Sequence, residues 1–310
     1  MLGLPGDPGY PPPPAMKYPR PRSFLVVGGV GGVAGVAALV TLASCTRGAP
    51  TQRGEARLEP PVAVGTANLQ IAAIVAPGGA KAKDTGACPT GMALVEGESC
   101  PEAEQTCLEW MDPPTSRYAH FRCARYAKPA VCKVPKVHKR YCIDVTERVE
   151  PGTDLPRHFM SWTSSKALCE SEGARLCRES EWVFACEGEE MRPYPYGWER
   201  DPTACNTDIT EGLGKLGRLV DHRSAAGAHE RCASPFGVQD MAGNVEEWAQ
   251  ADGPGQGSKM GWKEVLKGSW WIPSRHACRQ FQVGHNDVYN GGETGTRCCK
   301  DAPPREVASR

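Results

Sequence analysis

The chain has 310 residues, with 36 basic and 36 acidic side chains and a formal net charge of zero. A balanced charge gives no electrostatic basis for a nucleic-acid or polyanionic partner. The fifteen cysteines exceed what a reducing cytosol usually holds in one chain, so the composition points to an oxidising compartment.

The opening stretch, MLGLPGDPGYPPPPAMKYPRPRS, is Pro-rich and carries Lys17, Arg20 and Arg22. The run from Phe24 to Ser44 contains no charge. A basic flank, an apolar run and small residues together read as an export signal. The run closes on Leu42-Ala43-Ser44-Cys45. This resembles a bacterial lipobox, in which Cys45 is acylated and becomes the new N-terminus. The other reading is an uncleaved anchor, since the run is about long enough to span a bilayer. Its many glycines make it a weak helix. Both readings place the rest of the chain outside the cytoplasm, on the bacterial cell envelope, with the membrane as a partner. Residues 46–87 are rich in Ala, Gly, Pro and Lys, with Leu69 to Ala76 as one apolar patch. They read as a flexible tether.

From Cys88 the composition changes, and residues 88–301 read as one domain with a short tail, 302–310. Setting Cys45 aside leaves an even number of cysteines, with no Cys-x-x-Cys spacing. That pattern favours disulfides over a zinc ribbon or a thioredoxin-like site. Cys298 and Cys299 are adjacent and are expected to bond to different partners. Met92 to Val95 is a short apolar run between Gly91 and Gly97, and predicts an opening strand. The Cys/Pro-rich segment up to Cys132 is expected to be irregular and crosslinked, and with the next strand it forms an N-terminal part, 88–142. Arg140 to Glu147 alternates and is β-branched, so it predicts a strand.

Two helices follow. In SWTSSKALCESEGARL, Thr163 can cap, Ala167 and Leu168 can face inward, and Gly173 can end the helix. In RESEWVFACEG, Trp182, Ala185 and Cys186 share one face and Gly188 ends the helix. Beyond it the chain is mostly Gly, Pro, Asn and Asp loop, with Val265 to Trp271 and Gly295 to Asp301 as candidate strands.

The blocks FMSWTSSKALCESEGARLCRESEWVFACEG, YPYG, ACN, GVQDMAGNVEEW, LKGSWW and GTRCC occur in this order. Together they resemble the formylglycine-generating (sulfatase-modifying factor) domain. Its pattern runs V-S-W-x-x-A-x-x-x-C-x-x-x-G-x-R-L-P-T-E-x-E-W-E-x-A, Y-P-W-G, G-L-x-D-M-x-G-N-V-W-E-W, R-G-G-S-W and G-F-R. The resemblance implies an α+β, C-type-lectin-like fold, low in regular structure and disulfide-rich. It implies calcium held by Asp240, Gly243, Val245 and Glu247, and a second calcium near Asn206 and Thr207 with Asp208 or Asp221. Oxygen-only donors suit that ion, and Gly lets the backbone bend toward it. It also implies two disulfides, Cys169 to Cys298 and Cys186 to Cys278.

The sequence departs from the pattern where catalysis resides. Catalytic members oxidise a substrate cysteine with molecular oxygen and copper, and hold copper(I) through two cysteines just after G-G-S-W. Soft thiolates suit that ion. Here the two positions are Ile272 and Ala277, and the nearest thiol is Cys278, so copper is not expected. RLPTE is RLCRE, which breaks the capping box at Arg178 and adds Cys177, suggesting an extra disulfide. Glu246 replaces the Trp of GNVWEW and would make the cleft more acidic. Arg297 of GFR is kept. An iron branch of the superfamily uses an H-x-x-x-H-x-E-like cluster. No such spacing exists here, so iron is not expected, and His276 and His285 read as hydrogen-bonded rather than ligating. Two functions remain ahead of a third, a purely structural role in the envelope. One is a calcium-stabilised binding module whose cleft, with Ser269, Trp270, Glu246 and Arg297, takes a peptide, glycan or protein. The other is an oxidoreductase with an altered site using Cys278, Ser269, and Cys299 or a His.

Overall fold

The computed structural model describes residues 86–304, except 117, 213, 215–217 and 253–260. The export signal, Cys45 and nearly all of the tether lie outside the described residues.

The domain is built on two four-stranded sheets. The first has the order β1 (Met92–Ser99), β6 (Val137–Asp144), β12 (Cys298–Asp301), β7 (Arg175–Leu176), antiparallel throughout. It therefore joins both ends of the domain. The second has the order β10 (Phe281–Gln282), β9 (Glu264–Lys267), β8 (Glu246–Gln250), β11 (Thr294–Gly295), and only the β8–β11 pair is parallel. β1 alternates, with Ala93 and Val95 buried. The end of β6, Tyr141 to Asp144, is buried at every position because the strand lies between β1 and β12.

Two helices lie against the sheets. α1 (Trp162–Ser171) starts two residues earlier than a Thr163 cap would place it. Ser161 caps it, accepting from the Ser164 N–H, while the Ser164 hydroxyl accepts from the Ser161 N–H. That reciprocal pair satisfies two orphan donors at once. The inward face of α1 is Ser165 and Cys169; Ala167 is exposed and Leu168 half-buried. α2 (Glu179–Glu187) buries Trp182, Ala185 and Cys186, and Gly188 ends it at φ 66°. Half of its capping box survives. Glu181 accepts from the Arg178 N–H, but the Arg178 side chain has no acceptor to return the bond. Arg175 clamps Glu181 through both carboxylate oxygens instead.

The main core packs Val95, Ile143, Trp182, Phe184, Val238 and Met241 between the first sheet, α2 and the loop before β8. Among the described residues seven disulfides lie in and around it. Cys169–Cys298 and Cys186–Cys278 tie the two helices, and Cys177–Cys299 the link between β7 and α2, to the C-terminal part. Adjacent Cys298 and Cys299 thus bond to different partners. Cys88–Cys142, Cys100–Cys132, Cys107–Cys123 and Cys205–Cys232 complete the set. The segment expected to be irregular contains two small strand pairs. These are β2 (Ala103–Glu104) with β5 (Val131–Cys132), and β3 (Cys107–Trp110) with β4 (Cys123–Tyr126). Links that close loops as long as 129 residues restrict the unfolded chain most.

Candidate functional site

The turn that feeds β8 is tightly wound. Asp240, Gly243 and Asn244 have φ of 58°, 85° and 57°. Asp and Asn tolerate the left-handed region better than most residues. At Gly243 nothing larger fits, because a Cβ would lie 2.2 Å from the Asn206 carbonyl oxygen. The Gly243 N–H donates to the Gly268 carbonyl at 2.9 Å. The turn is thereby pinned to the end of β9, where Ser269 follows.

Under this turn lies a buried charge cluster. Arg297 and Glu247 are both fully buried, and the guanidinium meets both carboxylate oxygens at 2.7 to 3.0 Å. Arg297 also donates to the carbonyls of Asp144 and Gln239, and Trp182 Nε1 donates to Glu247 Oε2 at 2.6 Å. Burial alone would lower the Arg297 pKa; the charge and hydrogen bonds of Glu247 outweigh it and raise the pKa. Two further carboxylates face the same guanidinium. Glu147, a residue the sequence did not flag, accepts from Asn244 Nδ2 at 3.0 Å. Its pKa is pushed well up, by burial first and then by the charges of Asp240 and Glu247. Asp240 is pushed up to about 6 by burial, against the pull of the Gly227 N–H and Arg297. Three acids around one cation leave an excess of negative charge.

The residues expected to hold calcium are thus together, and their fit can be judged atom by atom. Asp240 Oδ2 accepts from the Gly227 N–H, while Oδ1 is buried with no partner. An orphan carboxylate oxygen in a net-negative, oxygen-lined turn suits a hard cation. Glu247 would have to share its oxygens with Arg297 and Trp182. Among the described residues no group of three or more His, Cys, Asp or Glu is placed to hold an ion by side chains alone. A site here would therefore draw on backbone carbonyls such as those of Gly243 and Val245. The second expected site fits less well. The Asn206 amide donates to the His222 carbonyl and to Asn244 Oδ1. Asp208 is held bidentately by Arg200, and Asp221 by Arg223.

On the other side of the turn is the cleft. Glu246 and Ser269 both line one small cavity of about 20 Å³, together with Arg275 and Phe281. Glu246 is 3 % exposed and its Oε2 has no partner. Burial, and then the charge of Glu293, push its pKa up to about 8. Ser269 sits at φ 61°, and its hydroxyl is also buried without a partner. Trp270 is half-buried and edge-on to Trp271. Arg297, expected at the cleft, is instead in the core beneath the turn, because its charge is consumed by Glu247.

The copper positions carry no thiol. Ile272 is half-buried, Ala277 is buried, and Cys278 is bonded to Cys186. Cys299 is bonded to Cys177. His276 is fully engaged, with Nδ1 accepting from Arg200 at 2.9 Å and Nε2 donating to the Trp270 carbonyl at 2.8 Å. Burial, and then the Arg200 charge, lower its pKa to about 4. His285 stacks on Tyr289 and meets the Gln282 amide. Lys267 was also missed from the sequence. It stands at a glycine of the R-G-G-S-W pattern and is fully buried, with Nζ 5.5 Å from the Trp182 ring centroid. Burial, opposed by Glu179, lowers its pKa to about 8. The exchanged glycine was the signal that could have found it.

Few helices, short strands, long ordered loops and dense crosslinks define a C-type-lectin-like α+β domain. The sulfatase-modifying factor enzyme 1-like domain family matches residues 93–302, and the chain belongs to that family. It is 27% identical over 179 residues to the "Inactive C-alpha-formylglycine-generating enzyme 2" of Mus musculus, covering 54% of this chain and 56% of that protein. It is 28% identical over 178 residues to the formylglycine-generating enzyme of Streptomyces coelicolor, covering 48% and 55%. Among solved structures, PvdO from Pseudomonas aeruginosa overlaps 72% of this chain and 98% of its own, at 16% identity and a TM-score of 0.44. The chain spans about half the length of the first curated relatives it matches.

Proposed function

We propose that this chain is a non-catalytic binding domain of the family. In this reading it is exported, held to the bacterial envelope through acylated Cys45, and stabilised by calcium at Asp240, Gly243, Val245 and Glu247. The cleft at Ser269, Trp270 and Glu246 receives a peptide, glycan or protein. The observation that carries the reading is the Cys186–Cys278 disulfide. It takes up the one thiol near the copper positions, and Ile272 and Ala277 supply none. A two-thiolate copper(I) site then has no ligands. The oxidoreductase alternative loses its thiols and His276 as well, since Cys278 and Cys299 are crosslinked and both nitrogens of His276 are engaged. The printed name of the mouse relative, an inactive member, is consistent with such a loss in this family. Seven disulfides support an oxidising location, and the orphan Asp240 oxygen supports calcium.

The test is a copper(I) titration of the oxidised, folded protein against a colorimetric chelator of the ion. The expected result is that the chelator keeps its copper. Stoichiometric withdrawal of copper(I) by the protein sinks the non-catalytic reading.

A further inference from the structure

The small cavity at the end of β9 holds two buried polar atoms that nothing in the fold uses. Glu246 Oε2 and Ser269 Oγ both lack a hydrogen-bond partner, and both residues line the same space of about 20 Å³. Buried polar atoms are normally paired, so two orphans in one cavity mark a place built for something else. The volume admits about one water or one ammonium head group.

The surrounding charge decides between classes of occupant. Glu246 feels a second carboxylate, Glu293, and one guanidinium, Arg275. Glu293 is already engaged by the Tyr289 hydroxyl at 2.5 Å. Arg275 donates to the Phe281 carbonyl and lies 4.7 Å from the Phe121 ring centroid, rather than pairing with Glu246. Arg275 balances Glu293, so an entering monocation would be the counter-charge that lets the buried Glu246 ionise. Phe281 lines the cavity, and its ring already has one cation beside it, Lys267 Nζ at 5.9 Å from the centroid. Glu246 also stands where the family pattern has Trp, so an apolar wall of the cleft has become an acidic one.

Building on the binding-domain reading, we infer that this cavity is a slot for a primary ammonium group, a lysine side chain or a small alkylamine, held by Glu246 and Ser269. A carboxylate and a hydroxyl accept two of its three N–H donors. The chemistry is shared by a peptide lysine and a free amine; the probes separate the two.

The experiment is an NMR titration of the folded, oxidised protein with three probes. They are lysine blocked at both ends, its Nε-acetylated counterpart, and butylammonium. The inference expects saturable shifts with blocked lysine and none with the acetylated form. A butylammonium response equal to that of lysine assigns the slot to amines in general, and a weaker one assigns it to lysine in a peptide. Glu246→Gln should weaken binding by about tenfold or more, the scale of a lost charge-assisted contact. Ser269→Gly removes the hydroxyl at a backbone conformation glycine adopts freely. It should weaken binding a few-fold with the melting temperature unchanged or raised. Equal binding of free and acetylated lysine, full affinity in Glu246→Gln, or no response to either amine overturns the slot. None of these outcomes touches the non-catalytic reading, which fails on copper(I) uptake instead.

Discussion

Glu247→Ala should destabilise the folded domain by about 3 to 5 kcal/mol, the usual cost of stranding one partner of a buried ion pair. Arg297 is fully buried and would lose its paired carboxylate, keeping hydrogen bonds only to the carbonyls of Asp144 and Gln239, with Glu147 and Asp240 as the remaining nearby charges. Trp182 Nε1, also buried, would lose its acceptor. Urea unfolding with disulfides intact measures the loss. The double variant Glu247→Ala with Arg297→Ala should cost less than the two single losses summed, because each charge is stranded only by the absence of the other. A loss below about 1 kcal/mol would show that the pair does not hold the turn. The same variant tests calcium. Chelation should lower the melting temperature of the parent protein and leave that of Glu247→Ala unmoved. If chelation leaves the parent unmoved, the calcium assignment is wrong.

Gly243→Ala is expected to be comparably severe, at about 3 kcal/mol or more, from two causes that add. The residue sits at φ 85°, and its new methyl would lie 2.2 Å from the Asn206 carbonyl and 2.5 Å from the Thr207 side chain. Neither neighbour can withdraw cheaply. Asn206 is fixed by the His222 carbonyl and Asn244, and its own carbonyl accepts the Asn244 N–H. Gly152→Ala is the control, with φ 78° and nothing within 4 Å of the added carbon. It should cost only the conformational penalty, about 1 to 2 kcal/mol. Equal losses at the two sites would remove close packing as the reason for this glycine.

What could be read in advance follows from how local each signal is. α2 was legible because Trp182, Ala185 and Cys186 repeat at helical spacing and Gly188 stops the chain. α1 was legible as a helix but not in its facing. Its buried residues are Ser165 and Cys169, a polar side chain and a crosslink that hydrophobic patterning passes over. β8 was not legible at all. GNVEEWAQ neither alternates nor lacks charge, because the strand lies between β9 and β11 and its two glutamates are buried. The partner of Glu247 is 50 residues away, so no local spacing could announce it. Arg297 was placed at the cleft for that reason. Cys169–Cys298 and Cys186–Cys278 were anticipated only through the family resemblance, whereas the pairing of Cys88 through Cys142 depends on strand contacts that spacing does not encode. The cleft was legible as a position, through Ser269 and Glu246, but its orphan atoms required coordinates.

The central claim is that Ile272 and Ala277 leave the copper positions without thiols and that the nearest cysteine, Cys278, is held in a structural crosslink. Disulfide mapping of the native protein tests it most directly, by alkylation before and after reduction followed by mass spectrometry of the peptides. The account predicts that none of the fourteen cysteines from Cys88 onward is alkylated before reduction, with a crosslinked peptide joining Cys186 to Cys278. A free, alkylated Cys278 in the folded protein would contradict it.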